Sequence, residues 1–364
     1  MSKEPIRPNI GNIKPYMPGK PIEEVERELK ITGVIKLASN ENPLGPSPKA
    51  IEAMNKFLRD SSLYPDQNCY ELTRLLAEKL DILPENLVIG NGSDEVMLLI
   101  ALAYISAGDE VLMSFNTFST YETVSRLMEA SIIKINLNNY AYDLKAFADA
   151  SSQKTKLIWV CNPNNPTGTM NAKNELDLLV SKASQNTIIV IDEAYGDYVE
   201  SKDYPDSLAY VRSKKNVIVL RTFSKIFGLA GLRVGYGIAK PEIIRYLRLV
   251  RLPFSVNRLA QIAAIASISD THHVEVSRKN NSEGKKYLYA ELAKLGVSYV
   301  KTEANFIFIN LNNDADTVFM ELMRRGVIVR PLSSFGFPGS IRVTIGTAEQ
   351  NAKFIKALAE VLRS

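Results

Sequence analysis

Six short apolar runs, at residues 87–89, 111–115, 132–137, 157–160, 188–191 and 217–220, constrain this chain most. Segments of helical character, such as 122–129 and 174–184, fall between many of them. Several runs are rich in Val and Ile and lack a polar residue at every second position. That is the pattern of parallel strands buried on both faces. Such strands need helices over both faces of one sheet, so the expected class is α/β, a large domain around a mostly parallel central sheet. After Pro241 the texture changes. A helical region runs to about residue 295, including a charged stretch at 275–292. Strands are then expected at 306–311, 327–329 and 341–345, with helices at 316–325 and 348–362, as in a smaller α+β domain. Residues 1–50 are too rich in Pro and Gly for long regular structure and are expected to wrap over another surface. No repeat or flexible linker interrupts the chain, and the domain boundary is expected inside a helix within 250–290. The division reads as an arm with part of the small domain (1–45), a large domain (46–265) and a small C-terminal domain (266–364).

Composition narrows the function classes. The chain has 364 residues, 44 basic and 40 acidic, for a net charge of +4. The basic residues form no tract, so nucleic acid is not an expected partner. Cys69 and Cys161 lie far apart, which suits a reducing compartment and no disulfide framework. The two histidines, His272 and His273, are adjacent. Neighbours cannot share one face of a helix or strand, so no metal site and no catalytic triad is expected. A general base is sought among Lys, Tyr, Asp and Glu. The longest apolar run, 96–107, falls short of the roughly 20 residues that span a bilayer. It reads as a core helix, with no membrane partner expected. The opening MSKEPIRPNI shows no apolar signal region, and a cytoplasmic location is expected.

Four motifs follow expected strands, where ligands of α/β sheets gather. Gly90-Asn91-Gly92-Ser93-Asp94-Glu95 precedes the apolar helix. It reads either as an anion loop at a helix N-terminus or as a plain helix start with Ser93 or Asp94 as N-cap. Asn162-Pro163-Asn164-Asn165-Pro166-Thr167-Gly168 is a tight turn that can offer an asparagine amide to a ligand. Asp192 ends an apolar run, where a carboxylate needs a cationic partner or several hydrogen bonds. Lys225 sits among Phe223, Ile226 and Phe227, surroundings that lower an amine's pKa by desolvation. Arg233 follows eight residues later. A Ser-x-x-Lys acylation site fits poorly, because Thr222 stands where the serine would be. In this order the set matches what pyridoxal phosphate (PLP) requires: a phosphate anchor, a charge partner for the ring nitrogen, a donor to the ring oxygen and a lysine for the aldehyde.

NPNNPTG, DEAY and TFSKIFGLAGLRVGY resemble the fold-type-I PLP-dependent aminotransferases. The flanking segments KPYMPGK, LASNENPLGPSP, LYPD, GNGSDE, VIVRPL and IRVTIGT are similar to those of the branch that acts on histidinol phosphate. The resemblance implies the fold-type-I PLP-dependent transferase fold. It also implies amino transfer between histidinol phosphate and 2-oxoglutarate, giving glutamate, in histidine biosynthesis. On it, Lys225 would hold PLP covalently and Asp192 would pair with the ring nitrogen. Tyr195 and Asn165 would bond the ring oxygen, and Phe118 would stack on the ring. Gly92, Ser93, Asp94, Ser224 and Arg233 would bind the cofactor phosphate. Tyr64 would reach the phosphate held by the other subunit of a homodimer. Arg342 would clamp the carboxylate of glutamate, with Asn165 also near the substrate, while Tyr16 and Arg330 would meet the distal phosphate of the amino substrate. Phe118 and Phe254 stand where some members carry tyrosine. The loss at Phe254 removes a possible phosphate contact and keeps an aromatic-amino-acid or dual-specificity aminotransferase in view. A PLP-dependent decarboxylase of a phosphorylated amino acid would share the cofactor contacts. A PLP-binding transcription regulator would need a DNA-binding domain that the start of this chain does not suggest.

Overall fold

The computed structural model describes residues 6–13, 15, 19–311 and 314–363. Its main sheet has seven strands: β1 (Leu87–Gly90), β2 (Glu110–Ser114), β3 (Ser131–Ile135), β4 (Thr155–Cys161), β5 (Ile188–Asp192), β6 (Val217–Thr222) and β7 (Gly235–Ile238). The order is β1-β7-β6-β5-β4-β2-β3. Strand β7 pairs antiparallel with both its neighbours, β1 and β6, and every other pairing in the sheet is parallel. The six apolar runs are the six parallel strands, and β1 and β5 are buried along their whole length. The fold is the expected α/β type.

Strand β7 was not among the expected strands, because two glycines interrupt its apolar character at Gly235-Tyr236-Gly237. Its glycines have a packing reason. Helix α1 (Gly92–Tyr104) lies against this strand. A Cβ on Gly235 would stand 2.5 Å from Ser93 N, and one on Gly237 would stand 2.8 Å from Val96 Cγ1. Close approach of helix and strand therefore outweighs the low strand propensity of glycine.

A second sheet, antiparallel throughout, contains β8 (Ser298–Val300), β9 (Phe306–Asn310), β10 (Arg330–Pro331) and β11 (Ser340–Thr344) in the order β8-β9-β11-β10. The expected strand at 327–329 joins neither sheet. It pairs in parallel with Ile35–Lys36 of the N-terminal segment. Burial separates two main cores. One gathers Ile100, Leu112, Trp159, Ile191 and Val219 around the large sheet. The other gathers Leu37, Leu292, Ile307 and Val343 around the small one. Helix α2 (Thr120–Leu127) covers the large sheet, and the 24-residue α3 (Thr271–Lys294) starts against the first core at Val274 and ends in the second at Leu288 and Leu292. No described helix is long and apolar enough to cross a membrane.

Because β1, β4, β5 and β6 run parallel, their carboxyl ends open on one edge. The four motifs follow those ends, and this edge is where an α/β sheet leaves a crevice.

Candidate active site

A cavity of about 220 Å³ lies at that edge. Ser93, Asp94, Phe118, Asn165, Asp192, Tyr195, Ser224, Lys225, Arg233 and Arg342 all line it. Residues far apart in sequence meet here because each follows the end of a strand or lies on the facing small sheet.

Asp192 is the last residue of β5, in register with Cys161 of β4. It is only 3% exposed. Its carboxylate accepts from Tyr121 Oη at 2.6 Å and from the Ala194 amide at 3.0 Å. Neither donor is cationic. Burial therefore pushes its pKa up to about 6, although both hydrogen bonds pull the other way. Tyr121 is itself held between Trp159, stacked at 4.9 Å, and Phe118, edge-on at 5.7 Å.

Lys225 follows β6 and donates to the Ser39 carbonyl at 3.2 Å. Burial first, then the Arg342 charge, bring its amine down to about 8. About a tenth of the amine is then neutral at pH 7, far more than for an ordinary lysine. Its Nζ lies 5.6 Å from the centre of the Tyr195 ring.

At the opposite end, helix α1 begins without a side-chain cap. Its N-cap is Asn91, which makes no capping bond, so the reading of Ser93 or Asp94 as N-cap is corrected. The first amides of α1 have no intrahelical partner, as at every helix start, and here no capping side chain takes them. Gly92 has φ +77°, and a Cβ there would collide with Arg233 Nη2. Arg233 Nη2 pairs with Asp94 Oδ2 at 2.9 Å, and Nη1 lies 3.4 Å from Ser224 Oγ. A guanidinium, two hydroxyls and a helix N-terminus form a cup for a phosphate.

The asparagine turn resolves into separate roles. Asn162 Nδ2 donates to the Asn171 carbonyl, and Asn162 Oδ1 accepts the Asn171 amide. Asn164 bonds Asn116, Thr117 and Thr167. Both are spent inside the fold. Asn165 lines the cavity and accepts from Arg342 Nη1 through Oδ1, which leaves its amide nitrogen to donate.

Arg342 on β11 and Arg330 on β10 stand directly opposite in the ladder. Both are buried. Like charges directly opposite each other on a ladder repel, and an anion close to both would be attracted by the two guanidiniums. Arg342 also donates to the Ala38 carbonyl at 2.7 Å. Arg330 does not line the cavity; its guanidinium lies 5.8 Å from the ring centre of Phe335, which does. Tyr64 does not line it either. It is 79% exposed and stacks on Phe254 at 4.6 Å. Tyr16 lies outside the described residues.

Sequence reasoning missed Ser39, Asn40, Glu41, Cys161 and Phe335 in the lining, and Tyr121 behind Asp192. One signal existed for Tyr121: a buried phenol needs a partner, and so does a buried carboxylate.

The aminotransferase class I and II family model matches residues 32–358. The chain belongs to that family. Histidinol-phosphate aminotransferase from Moorella thermoacetica is 54% identical, over 98% of this chain and 92% of its own length. The enzyme of the same name from Caldicellulosiruptor saccharolyticus is 47% identical, over 98% of this chain and all of its own. The crystal structure of histidinol-phosphate aminotransferase from Sinorhizobium meliloti, in complex with pyridoxal-5′-phosphate, superposes with a TM-score of 0.91. It covers 100% of this chain and 98% of that one at 24% identity, a likeness of fold.

The residues of this aminotransferase fit the cofactor. Asp192 is a buried carboxylate with no cation beside it among the described residues, and a protonated ring nitrogen would be one. The uncapped start of α1 beside Arg233 suits a phosphate. Lys225 offers an amine of lowered pKa within the same cavity.

Proposed function

We propose that this aminotransferase, with pyridoxal phosphate, exchanges the amino group between histidinol phosphate and 2-oxoglutarate. The observation that carries the substrate reading is the buried cross-strand pair Arg330 and Arg342 beside the cofactor cavity. A site that takes a phosphate monoester and a dicarboxylate in turn needs guanidinium groups, whose fork matches both. The names and near-complete coverage of the two relatives support the same reading.

Pyridoxal phosphate supplies, when bound, an aldehyde that carries the amino group and a ring that takes up electrons. The chain does the rest. Ser93, Ser224, Arg233 and the amides after Gly92 hold the phosphate, with Asp94 setting the guanidinium in place. Phe118 covers one ring face. Asp192 keeps a proton on the ring nitrogen, while Tyr195 and the Asn165 amide donate to the ring oxygen. With the cofactor bound, Lys225 would take the proton from the substrate's amine-bearing carbon at Nζ, hold it there and hand it back on the other side of the transferred nitrogen. Its lowered pKa suits both directions of that transfer. Arg342 orients the carboxylate of glutamate. Arg330, with Tyr16, takes the distal phosphate.

On this reading the enzyme is a cytoplasmic homodimer in which Tyr64 of one subunit reaches the phosphate held by the other. The exposure of Tyr64 and its stacking on Phe254 support that role. The chain divides into 1–45, 46–265 and 266–364, a division supported by the two separate cores.

The aromatic wall formed by Phe118 and Phe335 favours one second reading, in which aromatic amino acids are donors. Half-reaction kinetics test both. Arg342→Ala is expected to lower kcat/KM for glutamate by roughly 30-fold or more, the cost of one desolvated charged pair. Histidinol phosphate, with no α-carboxylate, should lose less. Arg330→Ala should harm both half-reactions. Equal losses in Arg342→Ala would remove the carboxylate assignment, and a wild type preferring phenylalanine would move the reading to aromatic donors.

A further inference from the structure

The N-terminal segment does more than wrap. Residues 37–42 run from the second core to the cavity, where Ser39, Asn40 and Glu41 form part of the wall. Asn40 is 1% exposed and has φ +56°, a left-handed conformation that asparagine tolerates. Its backbone amide donates to Thr344 Oγ1 at 2.9 Å. Thr344 Oγ1 lies 3.2 Å from Asn40 Oδ1. Asn40 Nδ2 lies 2.9 Å from Tyr195 Oη.

These three contacts order the protons. The Thr344 oxygen already accepts the Asn40 amide, so its single hydroxyl proton goes to Oδ1. With Oδ1 facing Thr344, it is Nδ2 that faces Tyr195. An amide nitrogen only donates. The Tyr195 oxygen must therefore accept from Asn40, and its own proton points elsewhere.

We infer that Asn40 is a positioning residue that turns the Tyr195 proton into the cavity, toward the ring oxygen of the bound cofactor. The inference rests on the functional reading above. It gives the small sheet a direct line to the cofactor, since Thr344 lies on β11, two residues after Arg342. Lys225, Arg342, Asp192, Cys161 and Tyr198 are among the ionisable groups that face or surround the tyrosine. Burial above all, with Cys161 and Asp192, holds the phenol above its usual pKa against the pull of Arg342 and Asn40. Tyr195 therefore remains a proton donor across the working pH range.

A donor on the ring oxygen favours its anionic form, so the bound cofactor releases its proton at a lower pH. The test is a pH titration of the absorption spectrum of purified holoenzyme. Glycine fits the left-handed position and removes the amide, whereas aspartate keeps the shape and accepts the tyrosine proton. The spectral midpoint is expected to rise in Asn40→Gly by up to about one pH unit, the size of one hydrogen bond. It should rise further in Asn40→Asp. In a Tyr195→Phe background, Asn40→Gly should add no further shift. A midpoint unchanged in both single variants, at normal cofactor content, overturns the inference. So does an undiminished shift in the Tyr195→Phe background, because Asn40 would then act by another route. A wild type that takes up no cofactor overturns the functional reading itself, and the inference with it.

Discussion

A buried carboxylate bonded only to neutral donors among the described residues is a cost that the cofactor-free chain carries alone. For Asp192 the rise from 3.8 to about 6 corresponds to roughly 3 kcal/mol. The sign follows from linkage. The unfolded chain ionises near 3.8 and the folded chain near 6, so stability falls as pH rises between those values and stays low above them. Asp192→Asn is therefore expected to stabilise the cofactor-free protein above about pH 6, with the gain fading below pH 4. Thermal melts of apo wild type and variant across pH 4–8 measure it. A gain that does not depend on pH would mean that the charge is not its source. The holoenzyme should behave in the opposite sense, losing turnover by orders of magnitude because the ring nitrogen loses its partner. At this scale the sequence was partly legible. Asp192, Lys225 and Arg233 stood out by position and chemistry. Composition could not separate Asn165 from Asn162 and Asn164; the family resemblance singled it out, and the geometry shows why, with Asn165 in the cavity and the other two bonded inside the fold.

On the proposed reading the start of α1 carries the cofactor phosphate, and β7 packs tightly against that start. The glycine at 235 lets the strand pass within 2.9 Å of the position of Gly92 C, measured from where a Cβ would stand. Gly235→Ala should push the first turn of α1 away from Arg233. A loss of about 1–3 kcal/mol in stability is expected, as for other overpacked sites, together with weaker cofactor retention. Gly237→Ala meets the side chain of Val96 rather than the backbone of the cup. It should cost stability with less effect on the cofactor. Dialysis-resistant cofactor content and melting temperature, compared in the two variants, separate these effects. Equal cofactor loss in both would show that general destabilisation, not the position of the helix, is responsible. Helices at 120–127, 173–182 and 315–324 fall within a few residues of their expected places, because their apolar spacing is local. Strand β7 was hidden, because the need for its glycines lies in a helix more than 130 residues earlier.

For the whole molecule, the proposed shared site makes a stringent prediction. Tyr64→Ala and Lys225→Ala homodimers should each be nearly inactive, the first through weak cofactor binding and the second through loss of the amine. Unfolded together and refolded, they should recover roughly a quarter of wild-type activity, since half of the dimers are hybrids with one intact site of two. No recovery, with hybrids present by mass, would show that Tyr64 serves its own chain.

Taken alone, the sequence determined the α/β class, the six parallel strands, the two textures of the chain and the chemistry of the strand-end motifs. These depend on short-range patterns: burial on both faces, turn residues and the rarity of charge inside apolar runs. Tertiary structure alone decided that 35–36 pairs with 327–328, that Arg342 and Arg330 face each other, and that Asn40 and Tyr121 stand behind Tyr195 and Asp192. The reason is physical. A buried polar group is satisfied by whatever the fold brings to it. Asn40 and Thr344 are 304 residues apart, and no local pattern in either segment encodes the other.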